Sequence, residues 1–224
     1  EFVVINEMMA SPSGADDGNE WVELYNPTEE PLNVSGWIIA SGPSSFTTDG
    51  QIPTDSWIEA KGYLVVAQSS NVVDAVIAAG FSLGNGFNSD GVRIEDCFGA
   101  IVDTVIYGAP NSDEWIDDSG MLATSLAPKP SEGKTLARLP DGSDSDQSGL
   151  DFVIAEFPTP GLANDSEPED CGATTSGVVI NEFLANPEGT DDGYEWVELY
   201  NSGGESVRLT GWGLQKSSKG ASGY

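Results

Sequence analysis

The stretch "GADDGNEWVELYN", residues 14–26, returns almost unchanged as "GTDDGYEWVELYN", residues 189–201. Both stretches belong to an internal repeat with a constant offset of 175 residues, in which 21 of 35 aligned positions are identical. The repeat aligns Val3–Trp37 with Val178–Trp212 without a gap. Because the units of solenoid proteins are about 20–50 residues long, this offset indicates two copies of a whole domain.

The repeat divides the chain into three parts. We predict a complete domain over residues 2–164, an acidic linker over residues 165–176, and the truncated N-terminal part of a second domain over residues 177–224. The linker, "DSEPEDCGATTS", is polar and has no hydrophobic periodicity. Since the second copy has less than a third of the first copy's length, we expect the sequence to be a piece of a longer protein.

The first copy has the hydrophobic pattern of β-strands. In Trp21–Tyr25, Val22 and Leu24 point to one face and Glu23 to the other. Similar short apolar runs, bounded by Gly, Pro, Ser and Asp, predict further strands. These are Phe2–Ile5, Trp37–Ala40, Tyr63–Ala67, Val92–Glu95, Ile101–Tyr107 and Thr135–Leu139.

One segment has the features of a helix. Ser70 or Asn71 can cap a helix over Val72–Ala79, and Gly80 can end it. Short strands, frequent turn signals and a single helix are typical of a β-sandwich. We therefore predict an all-β fold, an antiparallel β-sandwich with one short helix.

Seven short motifs follow one another along the first copy. They are "VVINE" (3–7), "EWVELYN" (20–26), "GW" (36–37), "GYLVVA" (62–67), the hairpin "DGVRIED…GAIVDTVIYG" (90–108), "LARLPDGSDSD" (136–146) and "FPTPGLAN" (157–164). In order and spacing, these motifs resemble the lamin tail domain as it occurs in bacterial extracellular proteins. The resemblance covers residues 2–164 and recurs at the opening of the second copy. It implies an immunoglobulin-like sandwich and a noncatalytic module that is often repeated in tandem or attached to secreted hydrolases, including nucleases.

The net charge of −29, from 8 basic and 37 acidic residues, narrows the classes of partner. Phosphate backbones and anionic lipids are bound by Lys and Arg, so we expect no nucleic-acid binding and no attraction to anionic membranes. No apolar window is long enough to span a bilayer, so we expect no membrane insertion. The acidity favours solubility and cationic ligands instead.

The absence of histidine excludes Ser-His-Asp and Cys-His catalysis and histidine-based metal sites. The two cysteines, Cys97 and Cys171, lie 74 residues apart, which excludes cysteine zinc sites and CxxC redox chemistry. A single disulfide in an exported protein and two free thiols both remain open. We expect no catalytic residue and no required cofactor.

Two acidic clusters are hypothetical calcium sites, because calcium takes six to eight oxygen ligands. The first cluster is Asp16, Asp17 and Glu20 and is repeated as Asp191, Asp192 and Glu195. The alternative is a tight turn, since Asp-Gly tolerates positive φ. A solvated turn is likewise the alternative for the second cluster, whose spacing does not match an EF-hand. This second cluster is Asp141, Asp144 and Asp146.

A pair chosen from Glu7, Glu20 and Glu23 could serve a glycosidase-like reaction. The alternative, which we favour, is that these side chains form the solvated face of a sheet. We accordingly expect a structural or interaction module of an exported or cell-surface protein, with a protein or polymer as partner. The other hypothesis is an accessory domain of a secreted hydrolase or nuclease whose catalytic part lies elsewhere.

Overall fold

The computed structural model describes residues 3–72, 74–78, 80, 82–85, 88–108, 110–164, 177–185, 187, 194–204, 207, 209 and 214. The chain forms two compact units, Glu1–Ser166 and Glu167–Tyr224. The linker predicted over 165–176, Cys171, Asp191 and Asp192 lie outside the described residues.

The described part of the first unit consists of short strands and one helical turn. The helix is α1, Ser148–Asp151. The strands are β1 Val4–Met9, β2 Trp21–Tyr25, β3 Leu32–Asn33, β4 Ile38–Gly42, β5 Thr47–Gln51, β6 Trp57–Ile58, β7 Tyr63–Ala67, β8 Val76–Ile77, β9 Asp90–Glu95, β10 Ile101–Tyr107, β11 Thr135–Arg138 and β12 Phe152–Ala155.

Two sheets form a sandwich. One has six strands in the order β12-β11-β1-β2-β7-β8, and the other has four in the order β10-β9-β4-β5. Neighbouring strands are antiparallel except β7 and β8, which are parallel. The facing sides share one apolar core, to which Ile5 and Leu24 contribute from the first sheet and Ile39, Val92 and Val105 from the second. The predicted all-β sandwich is confirmed.

The outer face of the six-stranded sheet is also covered at β1 and β2. Val22 and Leu24 belong to the shared core, whereas Trp21 joins a second apolar cluster with Met9 and Val65. The alternation predicted for β2 is therefore present, but both of its faces are buried. Loop segments, rather than water, cover the side on which Trp21 and Glu23 lie.

The predicted helix over Val72–Ala79 is wrong. Residues 70–72 form a turn, and β8 follows, paired in parallel with β7 through Val66↔Val76 and Ala67↔Ile77. The edge of β7 supplies backbone hydrogen-bonding partners that a helix could not use. The β-branched Val76 and Ile77 suit this extended conformation.

A buried arginine joins the two sheets. Arg138, the last residue of β11, is 1% exposed and pairs with Asp103 of β10 at 2.9 Å. Its Nε donates to the Ile5 carbonyl oxygen at 2.7 Å, and the Ile5 N–H donates to Asp103 at 2.6 Å. Arg138 also pairs with Asp144 and Asp151, each at 3.2 Å. One guanidinium thus connects β1, β10 and β11.

The second unit contains a hairpin of β13, Val178–Leu184, and β14, Trp196–Asn201. Its register repeats that of β1 and β2: Val179↔Tyr200 corresponds to Val4↔Tyr25, and the irregularity after Ile180 corresponds to the one after Ile5. Every residue of β1 is buried, whereas no residue of β13 or β14 is.

We predict that Arg138→Met will destabilise the first unit by about 3–5 kcal/mol, the usual cost of leaving buried charges without their partner. The substitution leaves Asp103 and Asp151 buried without a counter-ion. Urea unfolding followed through the β1 amide signals would measure the loss.

The matched control is Lys134→Met, which breaks the partly exposed Lys134–Glu156 ion pair next to the same strand. Such surface pairs contribute about 0–1 kcal/mol. Equal losses in the two variants would show that Arg138 does not have the central role assigned to it.

Candidate functional site

The loops at one end of the sandwich form an acidic cavity of about 460 Å³, here called the Glu20 pocket. It lies where β2 begins and β7 ends. Glu20, at its base, is 2% exposed, whereas Asp16 and Asp17 are exposed at its rim. The lining residues are Asp16, Asp17, Gly18, Glu20, Gln68, Ser69, Gly80 and Ser82.

The rim of the Glu20 pocket is held by the turn at Gly18. The Gly18 N–H donates to the Gln68 side chain at 2.7 Å, and the Ser69 hydroxyl donates to the Gly18 carbonyl at 2.7 Å. Gly18 has φ +81°, and a Cβ there would lie 3.1 Å from the Asn71 side chain. Positive φ and this close approach explain the glycine. The predicted Asp-Gly turn is therefore present.

Burial, together with the nearby charges of Asp16 and Asp17, raises the pKa of Glu20 to about 7. The Leu83 N–H opposes the shift. Asp16 accepts a hydrogen bond from Asn85 at 2.9 Å. The Glu20 pocket thus combines a buried carboxyl group, whose pKa is about 7, with two exposed carboxylates.

A second acidic cavity, the Asp118 pocket, lies at the opposite end of the sandwich and measures about 440 Å³. Asp118, Asp144 and Asp146 line it. Carboxylate oxygens of Asp103, Asp118 and Asp144 lie within 4.8 Å of one another. Among the described residues, this is the one group of potential metal-ligating side chains with such short separations. Burial raises the pKa of Asp118 to about 7, with further contributions from Asp103, Asp144 and Asp146.

The structure divides the predicted cluster of Asp141, Asp144 and Asp146. Asp144 lies beside Arg138 at the Asp118 pocket. Asp141 instead accepts hydrogen bonds from the Tyr63 hydroxyl at 2.6 Å and from the Asn164 N–H at 3.0 Å. Asp103 and Asp118 are brought together with Asp144 by the fold, so their positions in the sequence did not predict that they would be neighbours. The calcium hypothesis itself stays a prediction.

Glu7, Glu20 and Glu23 are all buried, so the predicted solvated face is wrong. Two of these residues, Glu7 and Glu23, form a pair. They are directly opposite each other on β1 and β2, and both are fully buried. Glu7 accepts hydrogen bonds from Thr135 at 2.5 Å and from the N–H and hydroxyl of Thr159 at 3.1 Å. Glu23 accepts from Asn6 at 3.2 Å and from the Gly161 N–H at 2.5 Å.

This pair fixes the closing segment 157–164 over the outer face of the sheet. Asn164 adds bonds from its side chain to the Asn6 carbonyl at 2.9 Å and to the Arg138 carbonyl at 3.0 Å. The carboxylates of Glu7 and Glu23 therefore accept hydrogen bonds from the protein's own N–H and O–H groups. A glycosidase-like pair needs an open cleft for sugar and water, and this arrangement supplies a structural clamp instead.

In the second unit, Glu182 and Glu198 occupy the same cross-strand positions but are exposed. Glu195, the counterpart of Glu20, is exposed as well, and the counterparts of Asp16 and Asp17 lie outside the described residues. Cys97 is an exposed free thiol in the turn between β9 and β10.

Two sheets around one core, with loop pockets at both ends, define an immunoglobulin-like β-sandwich module. The chain belongs to the lamin tail domain family, whose model matches residues 2–109 and 172–224. This family is noncatalytic, and its fold is that of an interaction or structural module. No curated protein matches the chain at a significant level. Within the described residues, no helix has the length and apolarity to cross a membrane.

We predict that the first unit loses stability as pH rises, in part through Glu23. Burial raises the pKa of Glu23 from 4.5 to about 8. An acidic group whose pKa is higher in the folded state than in the unfolded state stabilises the folded state. For Glu23 this contribution is complete below about pH 4.5 and is lost as the pH increases to about 8. At about 1.4 kcal/mol per pKa unit, the loss is on the order of 5 kcal/mol.

Urea unfolding of the chain between pH 5 and pH 9, read from β1 amide signals, tests this. Glu23→Gln should flatten the pH dependence, because glutamine fills the same space without titrating. The matched control is Glu198→Gln, at the corresponding exposed position, which should leave the slope unchanged. A slope of the same steepness in Glu23→Gln and wild type would contradict the assignment.

We predict that calcium, if it binds, will raise stability by binding only the folded state, by about 2.7 kcal/mol at a hundredfold excess over Kd. The melting temperature would be compared in calcium, magnesium and chelator at matched ionic strength, since screening alone stabilises an acidic chain. Asp16→Asn/Asp17→Asn and Asp144→Asn/Asp146→Asn would locate the site. Identical melting in calcium and chelator would retire the hypothesis for both clusters.

Proposed function

We propose that this chain is a noncatalytic interaction module of an exported or cell-surface multidomain protein, built from tandem lamin tail domains. Residues 2–164 form the first domain, residues 165–176 the linker and residues 177–224 the opening part of the second. The module binds another protein or a polymer through its loops.

The repetition of the hairpin supports this proposal most directly. β13 and β14 reproduce the register of β1 and β2, including the position of the irregularity. Two modules of a noncatalytic sandwich family in one chain are typical of proteins that present binding surfaces in series. The acidic pockets at the two ends of the first sandwich supply such surfaces, because loops at sandwich ends are free to bind.

Labelling of intact producing cells tests the location and the role together. A membrane-impermeant amine-reactive cross-linker, followed by mass spectrometry, should modify this chain and link it to a surface protein or polymer. A cytoplasmic marker protein would serve as the control for leakage. Recovery of the chain only after lysis would overturn the exported location, and a hydrolase domain in the same polypeptide would favour the accessory-domain role.

A further inference from the structure

The Glu20 pocket continues into a neighbouring depression. This second cavity, of about 330 Å³, shares Gly80 and Ser82 with the Glu20 pocket and is lined by Asp90 at the start of β9. The two adjoining cavities, at the start of β2 and the start of β9, are here called the end groove. Its floor carries two buried carboxyl groups, Glu20 and Asp90.

A buried hydroxyl lies beneath the end groove without a hydrogen-bond partner. Tyr107 is fully buried, and its hydroxyl is unsatisfied. Burial raises the pKa of Tyr107 above its usual value, the nearby charges of Asp90 and Glu20 also raise it, and the Gly84 N–H opposes the shift. Unsatisfied buried polar groups are rare in proteins and mark places where a partner is missing.

The acidic side chains that line the end groove favour a positively charged ligand. Asp16, Asp17, Glu20 and Asp90 line it, and no lysine or arginine is among the described lining residues. Burial raises the pKa of Asp90, and Lys129, from outside the lining, opposes this shift. Among the described residues, the causes that shift the pKa of Glu20 include no basic group.

The spacing of these groups favours an organic cation over a metal ion. Among the described residues, the carboxylate oxygens of Asp16, Asp17 and Glu20 do not close to within 4.8 Å as a metal-ligating group. The cavity of about 460 Å³ also exceeds by far the space of one water, about 30 Å³. A long side chain with a charged tip fits such a volume and can reach the buried carboxyl group.

We propose that the end groove binds a lysine or arginine side chain of a partner protein, with the cationic tip at Glu20 and the stem between Asp17 and Ser69. This inference rests on the proposed role as an interaction module and names the chemistry of its partner. Electrostatic complementarity of this kind gives specificity to an interface. Desolvation at the groove floor strengthens the contact between charges.

Titration of the full chain with Nα-acetyl-L-lysine methylamide, followed by amide chemical shifts at pH 8, tests the proposal. At this pH most Glu20 side chains are ionised. Saturable shifts are expected at Gly18, Glu20 and Ser69, also with the arginine analogue. The neutral norleucine analogue should produce none.

Glu20→Gln should weaken the lysine probe at least tenfold. Asp17→Asn, at an exposed rim position that does not endanger folding, should weaken it severalfold. The matched control is Asp118→Asn in the opposite pocket, which removes the same charge from a carboxyl group whose pKa is likewise about 7. That variant should keep the Kd within twofold.

Several results would overturn the proposal: equal weakening by Glu20→Gln and Asp118→Asn, binding of the norleucine analogue, or the absence of saturable shifts. Saturation of the same amides by calcium at lower concentrations than the lysine probe would assign the groove to a metal instead. The cross-linking experiment on intact cells does not depend on any of these readouts. A negative titration with positive surface cross-links would refute the groove assignment and leave the module's role standing.

Discussion

The ion pair between Arg138 and Asp103 is the contact on which the sandwich depends. On the β11 side of β1, strand pairing covers Glu7 and Met8. The backbone groups of the preceding Ile5 form hydrogen bonds with side chains instead. The Ile5 N–H donates to Asp103, and Arg138 donates to the Ile5 carbonyl oxygen. The ion pair between Arg138 of β11 and Asp103 of β10 therefore continues the hydrogen bonding along β1 where its pairing with β11 ends. The register between β1 and β2 shifts directly after Ile5.

The acidic residues of the first unit differ in how their charge is compensated. Asp103, Asp144 and Asp151 surround Arg138. Glu7 and Glu23 have no cation among the groups that shift their pKa values, and they are stabilised instead by N–H and O–H donors from the closing segment. The closing segment and the glutamate pair thus require each other, because removing either leaves buried polar groups unsatisfied.

Sequence patterns identified the parts of this fold that depend on local periodicity. β2, β7 and β10 have the predicted bounds, since alternation and turn residues determine them. The helix at Val72–Ala79 failed because an open strand edge outweighed local propensity. The burial of Glu23 could not be foreseen from its strand, since its cover, Gly161, lies 138 residues away. The Arg138–Asp103 pair had no signal either, because periodicity does not specify which polar residues meet.

The two copies show that one hairpin sequence does not determine the environment of its own side chains. The EWVELY segment has the same register in both units, yet Glu23 is buried in the first and Glu198 is exposed in the second. In the first unit, Glu23 is covered by the closing segment through the Gly161 N–H, which is distant in sequence. The EWVELY segment of this chain therefore indicates a strand pair rather than a functional site. Glu20 lies instead where a loop at the end of the sandwich enters β2, and the donor that opposes its pKa shift is the Leu83 N–H.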